Sequence, residues 1–356
     1  MFGKKKMWKN IVIGLVGLVI VFSVVSLCVV KYFMDDRFKR TVLSEYSFEV
    51  RYEDVKEQYD RELFNFMSGD NELQGYLYGL DNSKGLVVVA HGIGGGAENY
   101  MAQILYFVDN GYKVFAYDNT GCYESGGDDC IGLPQSAVDL DAALTYIDSE
   151  ERFKDFPVFL FGHSWGGYAV TAVLNETHNV TAVASVSGFN DPMTMMVEWA
   201  ERMMGVLAYL EAPYIYIYEK SIVGDNLLAT RAVDGINKND TPVLIMHGTS
   251  DDVVEYDGAG IISYKDEITN PNVEYLVSEG EKQNGHTDLM HTVESTVYLE
   301  KVKEEYNQLS EEYNGEIDQK VEAEFYSNID KHLSSQMNDE LMQQIISFYE
   351  KHALTE

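Results

Sequence analysis

The stretch PVFLFGHSWG, residues 157–166, decides the fold. Residues 157–161 form a short apolar run typical of a buried strand, and Gly162-His-Ser-Trp-Gly166 then opens a helical stretch. Small glycines permit a sharp turn from strand to helix, which exposes the serine between them at the carboxyl edge of a sheet. The alternative is a glycine-rich turn with an incidental serine. The strand before the turn and the helix after it favour Ser164 as a nucleophile.

Short apolar runs alternate with helical stretches on both sides of this turn. Helices are predicted over about 97–108 and 136–147. The predicted strands are Leu73–Tyr78, Leu86–Ala90, Tyr112–Tyr117, Pro157–Phe161, Val180–Val186, Thr241–Met246 and Val273–Val277. This alternation predicts an α/β fold with a mainly parallel sheet and helices on both faces.

A glycine-rich loop, His91-Gly-Ile-Gly-Gly-Gly96, follows the strand at 86–90. Such a loop can bind a phosphate in dinucleotide-binding folds, but the spacing into a helix and the acidic residue for a ribose are missing here. The other interpretation is an oxyanion hole, in which the backbone N–H groups of Ile93 and Trp165 hold a developing negative charge. We favour the oxyanion hole.

A nucleophilic serine needs a base, and the base needs an orienting carboxylate. His247-Gly-Thr-Ser-Asp-Asp252 follows the strand at 241–246, and His286 follows the strand at 273–277. The chain order Ser, Asp, His is the order of a serine elbow of this type. We predict His286 as the base and Asp251 as the acid, with Asp252 as the alternative acid. Structural roles are expected for three further histidines: His91, His163 and His247.

Residues 63–290 resemble the α/β-hydrolase superfamily, near its bacterial serine aminopeptidase S33 and monoacylglycerol-lipase-like group. The resemblance rests on HGIGG at 91–95, GHSWG at 162–166, HGTSD at 247–251 and GH at 285–286. It implies a Ser164, Asp251 and His286 triad and a cap inserted after the sixth strand. One loop departs from the family, which usually has a basic-Gly-x-Gly-x-Ser turn after its fourth strand. This chain has DNTGCYES there, at 118–125.

Residues 11–30 carry no charge, and twenty helical residues at about 1.5 Å each can cross a bilayer core of about 30 Å. A buried core helix and a cleaved signal peptide are the alternatives, but the apolar region of a signal peptide is usually shorter. We predict an uncleaved membrane anchor. Basic residues are equally frequent on both sides, so orientation rests on the short lysine-rich tail, which resists translocation. The catalytic domain is therefore predicted to be extracytoplasmic.

The predicted organisation is a basic cytoplasmic tail (1–10), the anchor (11–30), a stalk (31–60) and an α/β-hydrolase domain (61–356). Within that domain we place a cap at about 190–240 and an acidic helical extension at about 292–356. The methionine-rich part of the cap, 193–210, either lines an adaptable apolar pocket or packs as a structural helix. Cys122 and Cys130 can form a disulfide in an oxidising compartment or remain thiols elsewhere.

Together these features predict a membrane-anchored serine hydrolase that cleaves a carboxylic ester or thioester, preferably one with a lipid-like acyl group. The chemistry needs no metal or organic cofactor. A formal net charge of −32 disfavours nucleic-acid binding. One alternative is an S33-type peptidase that holds a free α-amine on acidic cap residues such as Glu198, Glu201 or Glu211. A further alternative is an inactive surface binding module.

Overall fold

A computed structural model describes residues 2–353, with residues 2–5 described as backbone only. Met1, in the predicted tail, and residues 354–356, in the predicted extension, lie outside the described residues. The centre of the molecule is an eight-stranded sheet. Its strands are β1 (Arg61–Ser68), β2 (Asn71–Tyr78), β3 (Leu86–Ala90), β4 (Lys113–Tyr117), β5 (Val158–His163), β6 (Ala182–Val186), β7 (Val243–Gly248) and β8 (Val273–Ser278).

The strand order is β1-β2-β4-β3-β5-β6-β7-β8. All neighbours from β4 to β8 run parallel, whereas β1 pairs antiparallel with β2 and β2 antiparallel with β4. The mainly parallel sheet is therefore confirmed. Strand β1 was not predicted from the sequence. Its signal is the two-residue turn Gly69-Asp70 between β1 and β2, which is typical of a hairpin.

Helices cover both faces of the sheet. The α-helices are α1 (Phe2–Arg37), α2 (Tyr52–Val55), α3 (Met101–Asp109), α4 (Gln135–Ser149), α5 (Trp165–Ala172), α6 (Pro192–Met204), α7 (Ala208–Val223), α8 (Asp225–Leu228), α9 (Ala232–Lys238), α10 (Val293–Glu312), α11 (Gln319–Ser327), α12 (Lys331–Ser334) and α13 (Asp339–Ala353). Short 3₁₀ helices lie at Ala97–Tyr100, Glu151–Phe153, Val173–Asn175, Gly205–Leu207, Ile261–Glu267 and Asp288–Met290.

The two faces of the sheet build two separate parts of the core, because successive side chains of a strand point to opposite sides. On β3, Val87 and Val89 pack in one apolar cluster with residues of α3 and α13. Leu86 and Val88 pack in the other cluster, with residues of α4, α5 and α9. Both faces are thus closed to water, which leaves the carboxyl ends of the strands as the place where functional loops can gather.

The last helix of the acidic extension, α13, belongs to this core. Its apolar stripe, which includes Leu341, Ile345 and Phe348, is buried against the sheet. The Tyr349 hydroxyl donates to the Leu160 carbonyl of β5 at 2.7 Å, and its ring stacks on Phe159 at 4.6 Å between centroids. The end of the extension is therefore bound to the domain.

Residues 31–60, predicted as a stalk, lie on the domain instead. Helix α1 continues to Arg37, and the chain beyond it hydrogen-bonds to the 118–130 loop: Cys130 N–H donates to the Phe38 carbonyl at 2.7 Å, and Thr41 N–H donates to the Gly121 carbonyl at 3.0 Å. In the same place Cys122 and Cys130 are free thiols with their Sγ atoms 3.5 Å apart. Burial of apolar side chains such as Phe38 gives the physical reason for this docking.

Helix α1 is long and apolar enough to cross a membrane. Only 6% of the most apolar segment of α1 is buried, so this helix is not a buried core helix. The carboxyl-terminal part of α1 lies against α7 of the cap, where the Ser23 and Tyr214 hydroxyls share a hydrogen bond of 2.9 Å. Further contacts follow, with Ser26 Oγ donating to Glu211 at 3.0 Å and the Tyr218 hydroxyl donating to Asp35.

Glu219 is buried inside the cap helix α7, and neither carboxylate oxygen has a hydrogen-bond partner among residues 2–353. Burial raises the pKa of this carboxyl to about 7. Because its folded-state pKa lies above the ordinary value of 4.5, its stabilising contribution is complete below pH 4.5 and is lost as the pH rises through 7. The charged form of Glu219 therefore destabilises the fold under alkaline conditions.

We expect Glu219→Gln to raise the free energy of unfolding at pH 8 by up to about 3 kcal/mol, and to have little effect at pH 4.5. Glutamine has nearly the shape of the neutral acid but cannot ionise. Denaturant titration of the full chain in detergent at both pH values measures this difference. Glu201→Gln, at an exposed position of α6, is the control. An equal change at both pH values would contradict the assignment.

Candidate active site

The turn after β5 has the geometry of a nucleophile elbow. Ser164 has φ +59° and ψ −115°, a backbone conformation that side-chain-bearing residues rarely adopt. A Cβ atom on Gly162 would collide with the Gly166 carbonyl, and one on Gly166 would collide with the Ala90 carbonyl. Both positions therefore require glycine, and the close packing holds Ser164 between the end of β5 and the start of α5.

Asp251 and His286 lie together at the carboxyl ends of β7 and β8. His286 Nδ1 lies 2.9 Å from Asp251 Oδ1 and 2.8 Å from Oδ2. The backbone N–H groups of Val253 and Val254 donate to Asp251 Oδ1 at 2.9 and 2.8 Å. The alternative acid, Asp252, is exposed. The structure thus brings together the predicted base and the preferred acid, and it leaves the alternative acid outside.

His247 is a third member of this group. It is fully buried, and its Nε2 lies 3.3 Å from Asp251 Oδ2 and 2.9 Å from the Val254 carbonyl. Burial of Asp251 opposes its ionisation, but the hydrogen bonds from His247 and His286 outweigh burial and hold the pKa of the carboxyl well below its usual range. Asp251 is therefore an anion at neutral pH. A structural role was predicted for His247, and its contact with the acid was not anticipated.

Ser164 Oγ makes no hydrogen bond within residues 2–353, and neither does His286 Nε2. His286 nevertheless lies beside the elbow. Its carbonyl is 2.9 Å from Nε2 of His163, the residue before Ser164, and the two imidazole rings are 4.7 Å apart between centroids. Hydrogen bonds between catalytic groups are often long in a free enzyme and tighten in the substrate complex.

A chain of hydrogen bonds connects the glycine loop, the elbow and the His286 loop. Gly92 N–H donates to the Tyr100 hydroxyl at 2.9 Å, and that hydroxyl lies 2.8 Å from His163 Nδ1. Burial, followed by the nearby His286, lowers the pKa of His163 to about 3, so its ring is neutral at pH 7. A neutral ring has one donor, and Nε2 must donate because its partner is the His286 carbonyl. Tyr100 therefore donates to Nδ1.

Tyr100→Phe is expected to lower kcat by about tenfold or more, because loss of the hydroxyl leaves Gly92 N–H and His163 Nδ1 unpaired and frees three loops to shift. KM should change less than kcat, since Tyr100 does not belong to the predicted triad or oxyanion hole. Steady-state kinetics with p-nitrophenyl acetate measures both constants. Tyr106→Phe, on the more exposed side of α3, is the matched control. Equal kcat values in both variants would show that the hydrogen-bond chain does not position the site.

The predicted oxyanion donors are both unengaged. Within residues 2–353, neither the Ile93 nor the Trp165 backbone N–H donates to another residue outside its own helix, and Trp165 is the first residue of α5. A Cβ placed on Gly92 would lie 3.6 Å from Ser164 Cβ, so the glycine loop lies directly against the predicted nucleophile. Two free donors at this place suit an anionic oxygen better than a dinucleotide.

The loop 118–125, which departs from the family pattern, is held by a buried carboxylate. Asp118 accepts from Ala97 N–H at 2.8 Å and from the Tyr76 hydroxyl at 2.7 Å. Burial raises the pKa of Asp118 to about 6. His91 lies next to it and accepts at Nε2 from Asn119 N–H at 2.9 Å. Its predicted structural role agrees with this contact.

Glu198 connects the cap, between β6 and β7, to the loop after β7 that carries Asp251, which we call the acid loop. This buried carboxylate accepts from the backbone N–H groups of Glu255 and Ala259 at 3.0 and 2.6 Å, and it pairs with Arg202. Glu198 is therefore occupied. Of the other two carboxylates considered for an α-amine, Glu201 is exposed and Glu211 accepts from Ser26 of α1.

The methionines of the cap lie partly in the core and partly beside a cavity. Met195 and Met196 are fully buried in an apolar cluster that also contains Trp165. Met196, Met203 and Met204 line a cavity of about 390 Å³ between α1 and the cap. Among the described residues no group of three or more His, Cys, Asp or Glu side chains is arranged to hold a metal ion.

Comparison with known proteins gives a match to one family profile and matches to two individual relatives. The profile of the serine aminopeptidase S33 family matches residues 81–221. A monoglyceride lipase homologue from Monkeypox virus is 23% identical over 233 residues, which cover 58% of this chain and 83% of that protein. The quorum-quenching protein AidA of Acinetobacter baumannii is 28% identical over 150 residues, 40% of this chain and 49% of that protein.

Among solved structures, the Pyrococcus furiosus esterase Pf2001 superposes with a TM-score of 0.54, covering 77% of this chain and 98% of the esterase. At 17% identity this likeness speaks for the fold alone. The family profile spans β3 to β6, which include the glycine loop and the elbow, and the esterase shares the fold around them. The chain therefore has the α/β-hydrolase fold, and its similarity to the S33 family profile and to the lipase homologue supports an esterase/lipase-like hydrolase.

Proposed function

We propose that this protein is a membrane-anchored serine hydrolase that cleaves carboxylic esters or thioesters, preferably those of lipid-like acyl groups. Ser164 is the nucleophile, His286 the general base and acid, and Asp251 the orienting carboxylate. The backbone N–H groups of Ile93 and Trp165 form the oxyanion hole. The bond between His286 Nδ1 and an ionised Asp251 is the observation that carries the proposal.

That bond fixes the tautomer of His286. Asp251 accepts the proton on Nδ1, so Nε2 keeps its lone pair and can accept the Ser164 proton. The Ser164 oxygen then attacks the carbonyl carbon, and the resulting oxyanion is stabilised by two backbone donors, each typically worth about 3 kcal/mol in the transition state. His286 returns its proton to the leaving alcohol or thiol. A water molecule, deprotonated by the same imidazole, releases the acid and restores Ser164.

Two observations favour an ester over a peptide. Glu198, the most buried of the cap carboxylates proposed for an α-amine, already holds two backbone N–H groups and Arg202. The cavity beside the cap has mainly apolar lining residues, which suit an acyl chain. The S33 family profile keeps the peptidase as the competing function.

We further propose that α1 anchors the protein in a membrane, with the amino terminus in the cytoplasm and the hydrolase domain outside the cell. The exposed apolar surface of α1 supports the anchor, because such a surface is unfavourable in water. The lysines at the start of α1 support the orientation. Protease protection of whole cells, followed with an epitope at each terminus, tests this topology.

A paired substrate panel tests the reaction class. The full chain in detergent should hydrolyse p-nitrophenyl esters and should react with a fluorophosphonate probe at Ser164. Aminoacyl-arylamides should be cleaved at least about 100-fold more slowly, because Glu198, the most buried of the carboxylates considered for an α-amine, is occupied by Arg202 and two backbone N–H groups. Faster cleavage of the arylamides would favour the peptidase. Failure of the probe to label Ser164 would favour the inactive binding module.

A further inference from the structure

The cavity between α1 and the cap gives the membrane helix a second role. We propose that α1 forms one wall of the binding site for the acyl chain of the substrate, so that the chain enters from the bilayer between α1 and the cap. This inference rests on the proposed esterase function and on the membrane location of α1.

The two walls of the cavity come from parts of the sequence that are far apart. Val29, Val30 and Phe33 line it from α1, while Met196, Trp199 and Met203 line it from α6. Its volume of about 390 Å³ lies within the range of about 300–1,000 Å³ usual for small-molecule sites. Most of its lining is aliphatic, aromatic or thioether, so the space suits a hydrocarbon chain.

The cap reaches the apolar part of α1. Tyr214 of α7 contacts both Ser23 and Phe22 of α1, through the shared hydroxyl hydrogen bond and an edge-to-face ring contact of 5.9 Å. Ser23 precedes Val30, the end of the uncharged run, by a helical length of about 10 Å. If α1 spans the bilayer, this part of α7 lies at the depth of the acyl chains.

The turn between α6 and α7 has the surface expected of a segment in contact with lipid. Val206 is 76% exposed, and Leu207 and Leu210 are each 58% exposed. Leu210 directly precedes Glu211, which accepts a hydrogen bond from Ser26 of α1, so this exposed apolar turn begins beside the contact between the cap and α1. Exposure of these apolar side chains to water is unfavourable, whereas the acyl chains of a bilayer would cover them. The lipid source of the chain is thus next to the cavity.

One residue of the cavity lining contacts the predicted orienting carboxylate. Val253 lines the cavity, and its backbone N–H donates to Asp251 Oδ1 at 2.9 Å. Met196, also in the lining, packs in one cluster with Trp165, the residue after Ser164. In this proposal, the acyl chain of a substrate held at Ser164 extends past Asp251 into this space.

Filling the cavity should shorten the preferred acyl chain without affecting short esters. Val29→Phe and Ala200→Phe add a ring from opposite walls, and Val24→Phe, at an exposed position on the other side of α1 from Val29, is the matched control. In phosphatidylcholine nanodiscs we expect kcat/KM for p-nitrophenyl dodecanoate to fall at least about tenfold in both cavity variants, because several methylenes lose their burial. Hydrolysis of p-nitrophenyl acetate should stay within about twofold.

Binding can be measured without catalysis. In the Ser164→Ala background, a dibrominated fatty acid in the cavity should quench the fluorescence of Trp199, and Trp199→Phe identifies that signal. Ala200→Phe should weaken the quenching about tenfold, and Val24→Phe should not. Unchanged chain-length preference and unchanged quenching in both cavity variants would overturn the inference. A cavity variant that instead changed the oligomeric state would show that a second copy of this chain fills the groove. If the unaltered protein did not hydrolyse p-nitrophenyl acetate, the proposed function would be refuted. The quenching experiment would still show whether a fatty acid binds in the cavity.

Discussion

Ser164→Ala is expected to lower kcat for p-nitrophenyl esters by about 10⁴- to 10⁶-fold. In the proposed mechanism the hydroxyl oxygen of Ser164 forms the acyl-enzyme, and alanine offers no atom that can replace it. Reaction with fluorophosphonate should disappear in the same variant. Substrate binding and the free backbone donors would remain, so a small rate above that of water is expected.

The fold should tolerate this change, so loss of activity can be separated from loss of structure. Alanine has the same backbone restrictions as serine at φ +59°, and the Ser164 hydroxyl has no hydrogen bond to lose within the described residues. The midpoint of thermal unfolding should therefore remain close to that of the unaltered chain. Ser221→Ala, on the exposed side of α7, is the control. Undiminished turnover in Ser164→Ala would remove Ser164 from the mechanism.

Asp251→Asn should lower kcat by about 10⁴-fold. An asparagine amide that faces His286 donates to Nδ1, which forces the imidazole proton onto Nε2 and removes the base. The pKa of Asp251 is held well below its usual range, so the carboxylate is present across the whole neutral range and the effect should not depend on pH between about 6 and 8. Stopped-flow or steady-state ester hydrolysis across this range provides the test.

The adjacent carboxylate gives a closely matched control. Asp252→Asn changes the same chemical group one residue later, at an exposed position, and should leave kcat within about twofold. The two variants separate the two acids that the sequence allowed. A larger loss in Asp252→Asn than in Asp251→Asn would reverse the assignment.

Much of the fold could be predicted because its signals are local. Buried parallel strands such as β3 and β5 read as continuous apolar runs, and the glycines of the elbow mark a turn that only glycine can make. Strand β1 was missed because its alternation is imperfect, and its turn at Gly69-Asp70 was the available signal. The stalk prediction failed because a charged sequence does not show which of its few apolar side chains, such as Phe38, will be buried.

Several site residues could not be found from the sequence because their roles depend on contacts over long sequence separations. Tyr100 lies in a 3₁₀ helix with no motif, and only its two hydrogen bonds connect it to the elbow. From the sequence, His247 is only the residue at the end of a strand, and the folded chain brings its ring next to Asp251. Glu198, one of the acidic cap residues considered for binding an amine, holds the cap to the acid loop.

The sequence by itself determined the parallel sheet, the elbow serine and an apolar helix long enough for a bilayer, because strand runs, glycine turns and hydropathy are properties of neighbouring residues. Only the tertiary structure decided which carboxylate meets His286, what the acidic extension packs on, and that α1 and the cap enclose a common cavity. Those features arise from pairs such as Asp251 with His286 and Ser23 with Tyr214, which the folded chain brings together and no local pattern encodes.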